Sequence, residues 1–239
     1  MAETLNDAKV AGEGTIAGGA YGTIAINGAG TVTGDVQCRE LKINGAGKCK
    51  GAVKADSVAV NGAGTFDGAV QAGEMQVNGS SDFHAGMGVG RLLVRGTCGL
   101  DGGLAAREVD LRGELRVGGD LTAESFTGEG RFVVNGLLNA GVIDLKLHGR
   151  SSAREIGGER IVLRVPEGFT SIFSMFSDRR LVADSIEADD VHLINTTAKV
   201  VRGARVTLGE GCEIELVEYT EKLERVAGAQ VKEERQVTA

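Results

Sequence analysis

The chain reads NGAGTV at residues 27–32, NGAGKC at residues 44–49 and NGAGTF at residues 61–66. The copies therefore follow one another at a constant 17-residue step. The same step continues through a fourth Asn-Gly pair at residue 78 and then through X-Gly pairs at residues 95, 112 and 129. Seven units in succession without an insertion or a deletion indicate a structural repeat, because a low-complexity sequence does not hold its phase over such a length.

Within the unit, apolar residues and glycine recur at every second position. With the asparagine as position 0, the run covers positions 14, 16, 1, 3, 5, 7, 9 and 11, and it slips by one residue at positions 12–13. This alternation is typical of β-strands that bury one face. Glycine fills position 1 in all seven units and position 7 in six of them, so we expect sharp inward bends there. Two bends and one slip predict an all-β, three-sided, single-stranded β-helix (a solenoid) with one 17-residue unit per turn.

Stacked turns of such a solenoid align equivalent residues of successive units. The core is expected to be narrow and aliphatic, because aromatic residues make up only 4% of the chain. The asparagines at position 0 are expected to form a ladder of amide hydrogen bonds along one corner: Asn27, Asn44, Asn61 and Asn78.

The repeat divides the chain into three parts. Residues 1–10 are expected to form a short N-terminal tail, and residues 11–217 a β-helix of about 10–11 turns. A Phe-rich segment at about residues 167–180 interrupts the strand pattern and is expected to be an insertion. Residues 218–239 are polar and charged, which favours a mobile C-terminal tail.

The composition argues against several classes of protein. The 26 Lys and Arg residues and 33 Asp and Glu residues give a net charge of −7, which disfavours binding to nucleic-acid phosphates. The first residues lack the basic and apolar regions of a signal peptide, and no apolar run approaches the ~20 residues of a spanning helix. The four cysteines show neither a CxxC pair nor a metal-ligand spacing, which favours reduced thiols. We therefore expect a cytoplasmic protein, with peripheral contact at the inner face of the cytoplasmic membrane left open.

No enzyme site emerges from the repeat. The glycine-rich residues 45–48 resemble part of a phosphate-binding loop, but β alternation follows them where such a loop requires a helix. His84, His148 and His192 are far apart in the sequence, whereas metal ligands cluster. A sugar hydrolase on this fold would need carboxylates gathered in a cleft formed by long loops. We expect no catalytic residue, metal or cofactor, and a β-helix enzyme stays the weakest alternative.

Three features of the chain stand out: the short G-x-h-x-G-x-h-x-A turns (h, apolar), AKVVRG at residues 198–203 and GCEIELVEY at residues 211–219. In these features the chain resembles the bactofilins, a family of polymer-forming bacterial cytoskeletal proteins. The resemblance covers roughly residues 11–219 and implies a right-handed β-helix that joins end to end into non-polar filaments without nucleotide. It also implies a scaffold for cell shape, envelope growth or motility machinery. Residues 1–10 depart from the basic, Phe-containing N-terminus with which family members contact membranes.

Interactions of a filled solenoid are confined to its flat faces and its two ends. An uncapped end exposes unpaired backbone groups and apolar side chains, which favours the addition of another subunit. The expected partner is the chain itself, and a paralogous bactofilin and membrane or envelope proteins are further candidates. A non-polymerising adaptor that docks partners on its flat faces is the open alternative. The candidate polymerisation residues are the apolar residues near each end: Val10, Ile16, Tyr21, Ile214, Leu216 and Tyr219.

The Phe-rich segment carries apolar residues at helical spacing, which places them on one helical face. Packing against the solenoid flank is one interpretation of this pattern, and a membrane or partner contact is the other. The four residues are Phe169, Ile172, Phe173 and Phe176.

Overall fold

A computed structural model of the chain describes residues 5–165 and 179–238. Within these residues the regular secondary structure is β-strand throughout, and strands of successive turns pair in parallel. The prediction of an all-β solenoid is confirmed, with about 13 turns of roughly 17 residues. The right-handed coil and its three sides stay predictions. The chain forms two compact units, Met1–Gly119 (unit 1) and Asp120–Ala239 (unit 2).

Unit 1 contributes one long and one short strand to each turn. Complete long strands have 8 residues and short strands have 4. Each strand pairs with its equivalent in the next repeat unit, as in Val36↔Val53 and Ala46↔Ala63. The strands are β1 (Ala8–Val10), β2 (Glu13–Ile16), β3 (Gly19–Ile26), β4 (Ala29–Val32), β5 (Val36–Ile43), β6 (Ala46–Cys49), β7 (Val53–Val60), β8 (Ala63–Phe66), β9 (Val70–Val77), β10 (Ser80–Phe83), β11 (Met87–Val94), β12 (Thr97–Leu100), β13 (Leu104–Leu111) and β14 (Glu114–Val117).

The core of unit 1 is built from the positions that the repeat predicted to face inward. In β5 the residues at positions 9, 11, 14 and 16 are buried and the others are not, so the alternation slips once at positions 12–13. Parallel stacking turns these positions into columns of similar side chains. Phe66 and Phe83 stack within one such column, with ring centroids 4.6 Å apart. The column at position 9 contains the almost fully buried residues Val36, Val53, Val70, Met87 and Leu104.

The glycines at position 1 are required by contact between successive turns. Six of the seven are half-buried, and Gly130 is buried. A Cβ atom on Gly45 would lie 2.3 Å from the carbonyl oxygen of Gly28, and one on Gly79 would lie 2.0 Å from that of Gly62. The glycine is needed at each of these corners because a side chain there would point along the stack into the backbone of the preceding turn.

The glycines at position 3, by contrast, do make room inside the core. A Cβ atom on Gly47 would lie 2.8 Å from Cδ1 of Ile43, which precedes it around the corner. Where position 3 carries a larger residue, as at Cys98 and Leu115, that side chain is fully buried. A small residue at position 3 leaves room for the large side chain at position 16 before it, and a larger residue at position 3 fills that room itself, so the core stays filled.

Unit 2 has longer strands and less regular offsets between turns. Ile143 pairs with Ile161, Ser151 with Leu181, and Leu181 with Thr196, so the step from one turn to the next varies widely. The strands are β15 (Leu121–Leu147), β16 (Ser151–Arg164), β17 (Leu181–Leu193), β18 (Thr196–Leu208), β19 (Glu213–Arg225) and β20 (Gln230–Gln236).

The long step from Ser151 to Leu181 marks an insertion between β16 and β17. The two strands are direct neighbours, and the backbone N–H of Ser151 donates to the carbonyl of Arg180 at 2.8 Å. The additional residues therefore follow Arg164 and precede Leu181, where the sequence predicted an insertion. Residues 166–178, which include all four candidate contact residues of the Phe-rich segment, lie outside the described residues.

The strands extend beyond both expected boundaries of the solenoid. β1 begins at Ala8, within the expected N-terminal tail, and β20 ends at Gln236, where a polar tail was expected. The turn count therefore exceeds the predicted 10–11. The polar residues form strands because they pair across turns: Lys232 Nζ lies 3.1 Å from Glu215 Oε1.

Candidate assembly site

Among residues 5–165, the first turn of unit 1 presents a strand edge. β1 pairs with β3 and β2 pairs with β4, both on the side of the second turn. The backbone N–H of Asn27 donates to the carbonyl of Val10, and that of Thr33 donates to the carbonyl of Ile16, each at 2.9 Å. In a parallel ladder alternate residues point their backbone groups to opposite sides. The N–H and C=O groups of the intervening residues therefore face away from the second turn: Lys9, Glu13 and Thr15.

The three N-terminal candidate residues lie at this edge, which is termed the first-turn edge (residues 8–10, 13–16 and 19–21). Val10 and Ile16 face inward and are buried, and Tyr21 is half-buried in β3. The Tyr21 hydroxyl donates to the carbonyl of Ala17 at 2.9 Å. The strand register therefore places all three near one end of unit 1, and their part in polymerisation stays a prediction.

The three C-terminal candidate residues lie inside the stack of unit 2. Ile214, Leu216 and Tyr219 belong to β19, which has β18 on one side and β20 on the other. Leu216, for example, has Val200 and Glu233 as its register partners. The expected position of these residues at an end is wrong, because the charged sequence that follows them forms another strand.

The strands of unit 2 carry outward-facing columns of alternating charge. In one column Arg202 Nε lies 2.7 Å from Glu218 Oε2, and Arg235 Nη1 lies 3.1 Å from Glu218 Oε1. In another, Lys199 Nζ lies 2.6 Å from Asp184 Oδ1. Each such exposed pair contributes little to the free energy of unfolding. Together, however, the pairs place opposite charges next to each other on neighbouring strands. Sequence reasoning missed β20 because this compensation is visible only once the register is known.

The asparagine ladder forms as predicted along one corner of unit 1. The side-chain amide of Asn44 donates to Asn27 Oδ1 at 2.7 Å, that of Asn61 to Asn44 at 2.8 Å, and that of Asn78 to Asn61 at 2.7 Å. Each amide in the middle of the ladder both donates and accepts along the stack. The ladder therefore reinforces the alignment of turns and gives this asparagine repeat a structural role.

Several polar side chains on the surface of the solenoid form hydrogen bonds with side chains of the neighbouring turn. His84 Nδ1 lies 2.8 Å from Asp101 Oδ2, and this hydrogen bond raises the pKa of His84 above its ordinary value. On unit 2 an open groove contains Arg205, whose guanidinium bonds to Asp190 at 2.6 Å and to Glu221 at 2.7 Å. These pairs are surface contacts between neighbouring turns, whereas a catalytic centre gathers several polar groups at one point.

The four cysteines are buried free thiols. Burial raises the pKa of Cys38 to about 11 and that of Cys49 and Cys98 to about 12. Thiols of this kind are weak nucleophiles because the thiolate is scarce at neutral pH. In the part of the chain that the structure describes, no group of three or more His, Cys, Asp or Glu side chains is placed to hold a metal ion.

Among residues 5–165 and 179–238, no helix is long and apolar enough to cross a membrane. The Phe-rich contact proposed from the sequence falls on residues outside these ranges. It stays a prediction.

Comparison with known proteins bears on the unit that carries the first-turn edge. The family model for bactofilin, described as polymer-forming cytoskeletal, matches residues 3–88. Over residues 3–88 the chain is thus similar to the bactofilin family. The family resemblance predicted from the sequence is confirmed over these residues. The matched residues include β1–β10 and the beginning of β11, so they contain the first-turn edge.

Two relatives come from Bacillus subtilis (strain 168), and both carry the description of uncharacterized protein. YhbF is 44% identical over 99 residues, which are 41% of this chain and 40% of that protein. YhbE is 41% identical over 88 residues, which are 36% of this chain and 37% of that protein. The match thus spans about two fifths of the curated relatives' lengths. No solved structure matches this chain.

Proposed function

We propose that this chain is a bactofilin, a self-assembling scaffold whose copies join end to end, without nucleotide, into filaments that support cell shape, the envelope or motility machinery. The observation that carries the proposal is the coincidence of the polymer-forming family match with an available strand edge in the same residues. We further propose that the first-turn edge is a joint between copies, with a second copy of this chain as its occupant.

The chemistry of the first-turn edge supports strand addition. Its inward-facing residues include Val10 and Ile16, which are apolar, and its charged residues Lys9 and Glu13 are exposed on the outer face of the short strands β1 and β2. A second copy that pairs with this edge would satisfy those N–H and C=O groups and extend the apolar core across the joint. No nucleotide chemistry is needed for that step.

Assembly is tested with a variant that blocks the edge and leaves the turn intact. In Thr15→Pro the ring removes an N–H that faces away from the second turn, so the ladder to β4 should keep its hydrogen bonds. We expect negative-stain microscopy and sedimentation without nucleotide to show filaments for the wild type and loss of assembly for Thr15→Pro. Thr15→Ala, which keeps the N–H, is the matched control and should assemble normally. Circular dichroism must show retained β-structure in both variants.

Two outcomes would reject this assignment. Wild-type protein that stays monomeric at every salt concentration would favour the adaptor interpretation. Filaments of folded Thr15→Pro that match those of the wild type would move the joint away from the first-turn edge.

We also propose that the protein works in the cytoplasm, at the inner face of the membrane, through its Phe-rich segment. The insertion between the directly paired strands β16 and β17 supports this proposal, since its removal would leave the flanking pairing in place. The test is flotation with liposomes. Phe173→Ser combined with Phe176→Ser should abolish flotation and leave the melting temperature unchanged, whereas a lowered melting temperature with unchanged flotation would show that the segment packs on the solenoid.

A further inference from the structure

Two buried columns of unit 2 end in charged residues. Ile186, Val201 and Val217 are register partners on successive strands and are fully buried, and the next partner in this column is Glu234 of β20. A second column runs through Leu193 and Leu208, also fully buried, and the next partner is Arg225 at the end of β19. Both columns of buried aliphatic side chains therefore end in a charged residue, at the same end of unit 2.

The two charges bind each other. Arg225 Nη1 lies 2.9 Å from Glu234 Oε1, and the side chains are 50% and 36% exposed. The pair thus joins the ends of two columns that face the core from different strands, and it remains in contact with solvent. These residues are termed the ion-pair cap.

The ion-pair cap opposes strand addition at this end. A strand that docks on β20 would remove water from both charges, and desolvation of an ion pair is unfavourable unless further hydrogen bonds replace the water. Charged residues on an edge strand are a common means by which proteins prevent edge-to-edge association. The first-turn edge differs in this respect, because its buried inward residues are Val10 and Ile16.

We propose that the ion-pair cap is a brake on filament growth, which makes the β20 end the weak joint and the first-turn edge the strong joint. This inference rests on the proposed end-to-end assembly. Copies then associate first through their first-turn edges into pairs, and pairs elongate into filaments only at higher concentration. Growth is controlled at the end that lies outside the residues matched by the family model.

The test compares full-length variants by sedimentation over a range of concentrations. Arg225→Leu combined with Glu234→Val continues both aliphatic columns to the last strand. We expect this variant to form filaments at a concentration at least about tenfold below that of the wild type, which corresponds to about 1.4 kcal/mol. The matched control is the exchanged pair, Arg225→Glu combined with Glu234→Arg, which keeps the cap and should assemble as the wild type does.

A second variant covers the case in which the aliphatic pair misfolds or aggregates without order. Arg225→Gln combined with Glu234→Gln removes both charges but keeps polar, similarly sized side chains, and it should also lower the concentration for filament growth. If the folded neutral variant and the folded aliphatic variant both assemble at the wild-type concentration, the brake does not exist.

The outcomes separate this inference from the proposed function. If Thr15→Pro abolishes assembly while the cap variants behave as the wild type does, the first-turn joint stands and the brake is rejected. If the wild type never assembles but a cap variant does, the brake stands and wild-type filament formation is rejected. If no variant associates, both are rejected.

Discussion

Replacement of the corner glycine Gly45 by alanine should disrupt the contact between two turns. A Cβ atom there would lie 2.3 Å from the carbonyl oxygen and 3.0 Å from the carbonyl carbon of Gly28. Separation of the turns by roughly 1 Å would restore ordinary van der Waals contact, but it would lengthen hydrogen bonds that hold the same corner. The N–H of Ala46 donates to Gly28 at 2.8 Å, and the N–H of Asn44 donates to Ile26 at 2.7 Å.

The magnitude follows from those bonds. A lengthening of about 1 Å takes both beyond hydrogen-bond distance, and each lost bond costs about 1 kcal/mol, or more where a buried group stays unsatisfied. We expect Gly45→Ala to lower the free energy of unfolding by about 2–4 kcal/mol. Denaturation in urea, followed by far-ultraviolet circular dichroism, measures this change as a lower midpoint.

Gly88→Ala is the matched control, since nothing lies within 4 Å of a Cβ atom at that position. It replaces a strand glycine at an outward position of the same repeat, and the lower entropy of the unfolded chain should make it neutral or stabilising by up to about 1 kcal/mol. Equal midpoints for Gly45→Ala and Gly88→Ala would refute the argument that close approach of the backbones requires the corner glycine.

Three further predictions test the core and the surface. Val53→Asp places a carboxylate at a 1% exposed position and should cost about 3–5 kcal/mol in a thermal melt, whereas Lys54→Asp on the exposed neighbour should have little effect. The raised pKa values of Cys49 and Cys98, about 12 against an ordinary 9.0, mean that their contribution to stability is fully present below about pH 9 and declines as the pH rises toward 12. A thiol reagent at pH 8 should accordingly leave both unmodified until urea is added, and rapid modification of the native protein would contradict their burial. Asp101→Asn should lower the pKa of His84 in an NMR titration, because the hydrogen bond that raises it is weakened, and an unchanged value would exclude that bond as the cause.

The sequence by itself determined the fold class and most of unit 1. A strict 17-residue step with period-two alternation specifies which side chains face the core, and stacking then aligns Asn27 with Asn44 and Asn61 in the observed ladder. The N-terminal candidates Val10 and Ile16 could be located in the same way, because β1 and β2 continue the repeat's strand pattern into the first turn.

Only the tertiary structure decided the features that depend on register between strands. A Cβ atom on Gly45 would collide with the carbonyl of Gly28, which belongs to the preceding turn. The sequence shows that a glycine recurs in every unit, but the reason for it depends on how the turns stack. The charge of residues 218–239 favours a tail when the sequence is considered alone, and the register alone places Glu234 after Val217 and Arg225 after Leu208. Local composition reports how polar a segment is, whereas the position of each charge relative to the core is fixed by its pairing with the strand of the preceding turn.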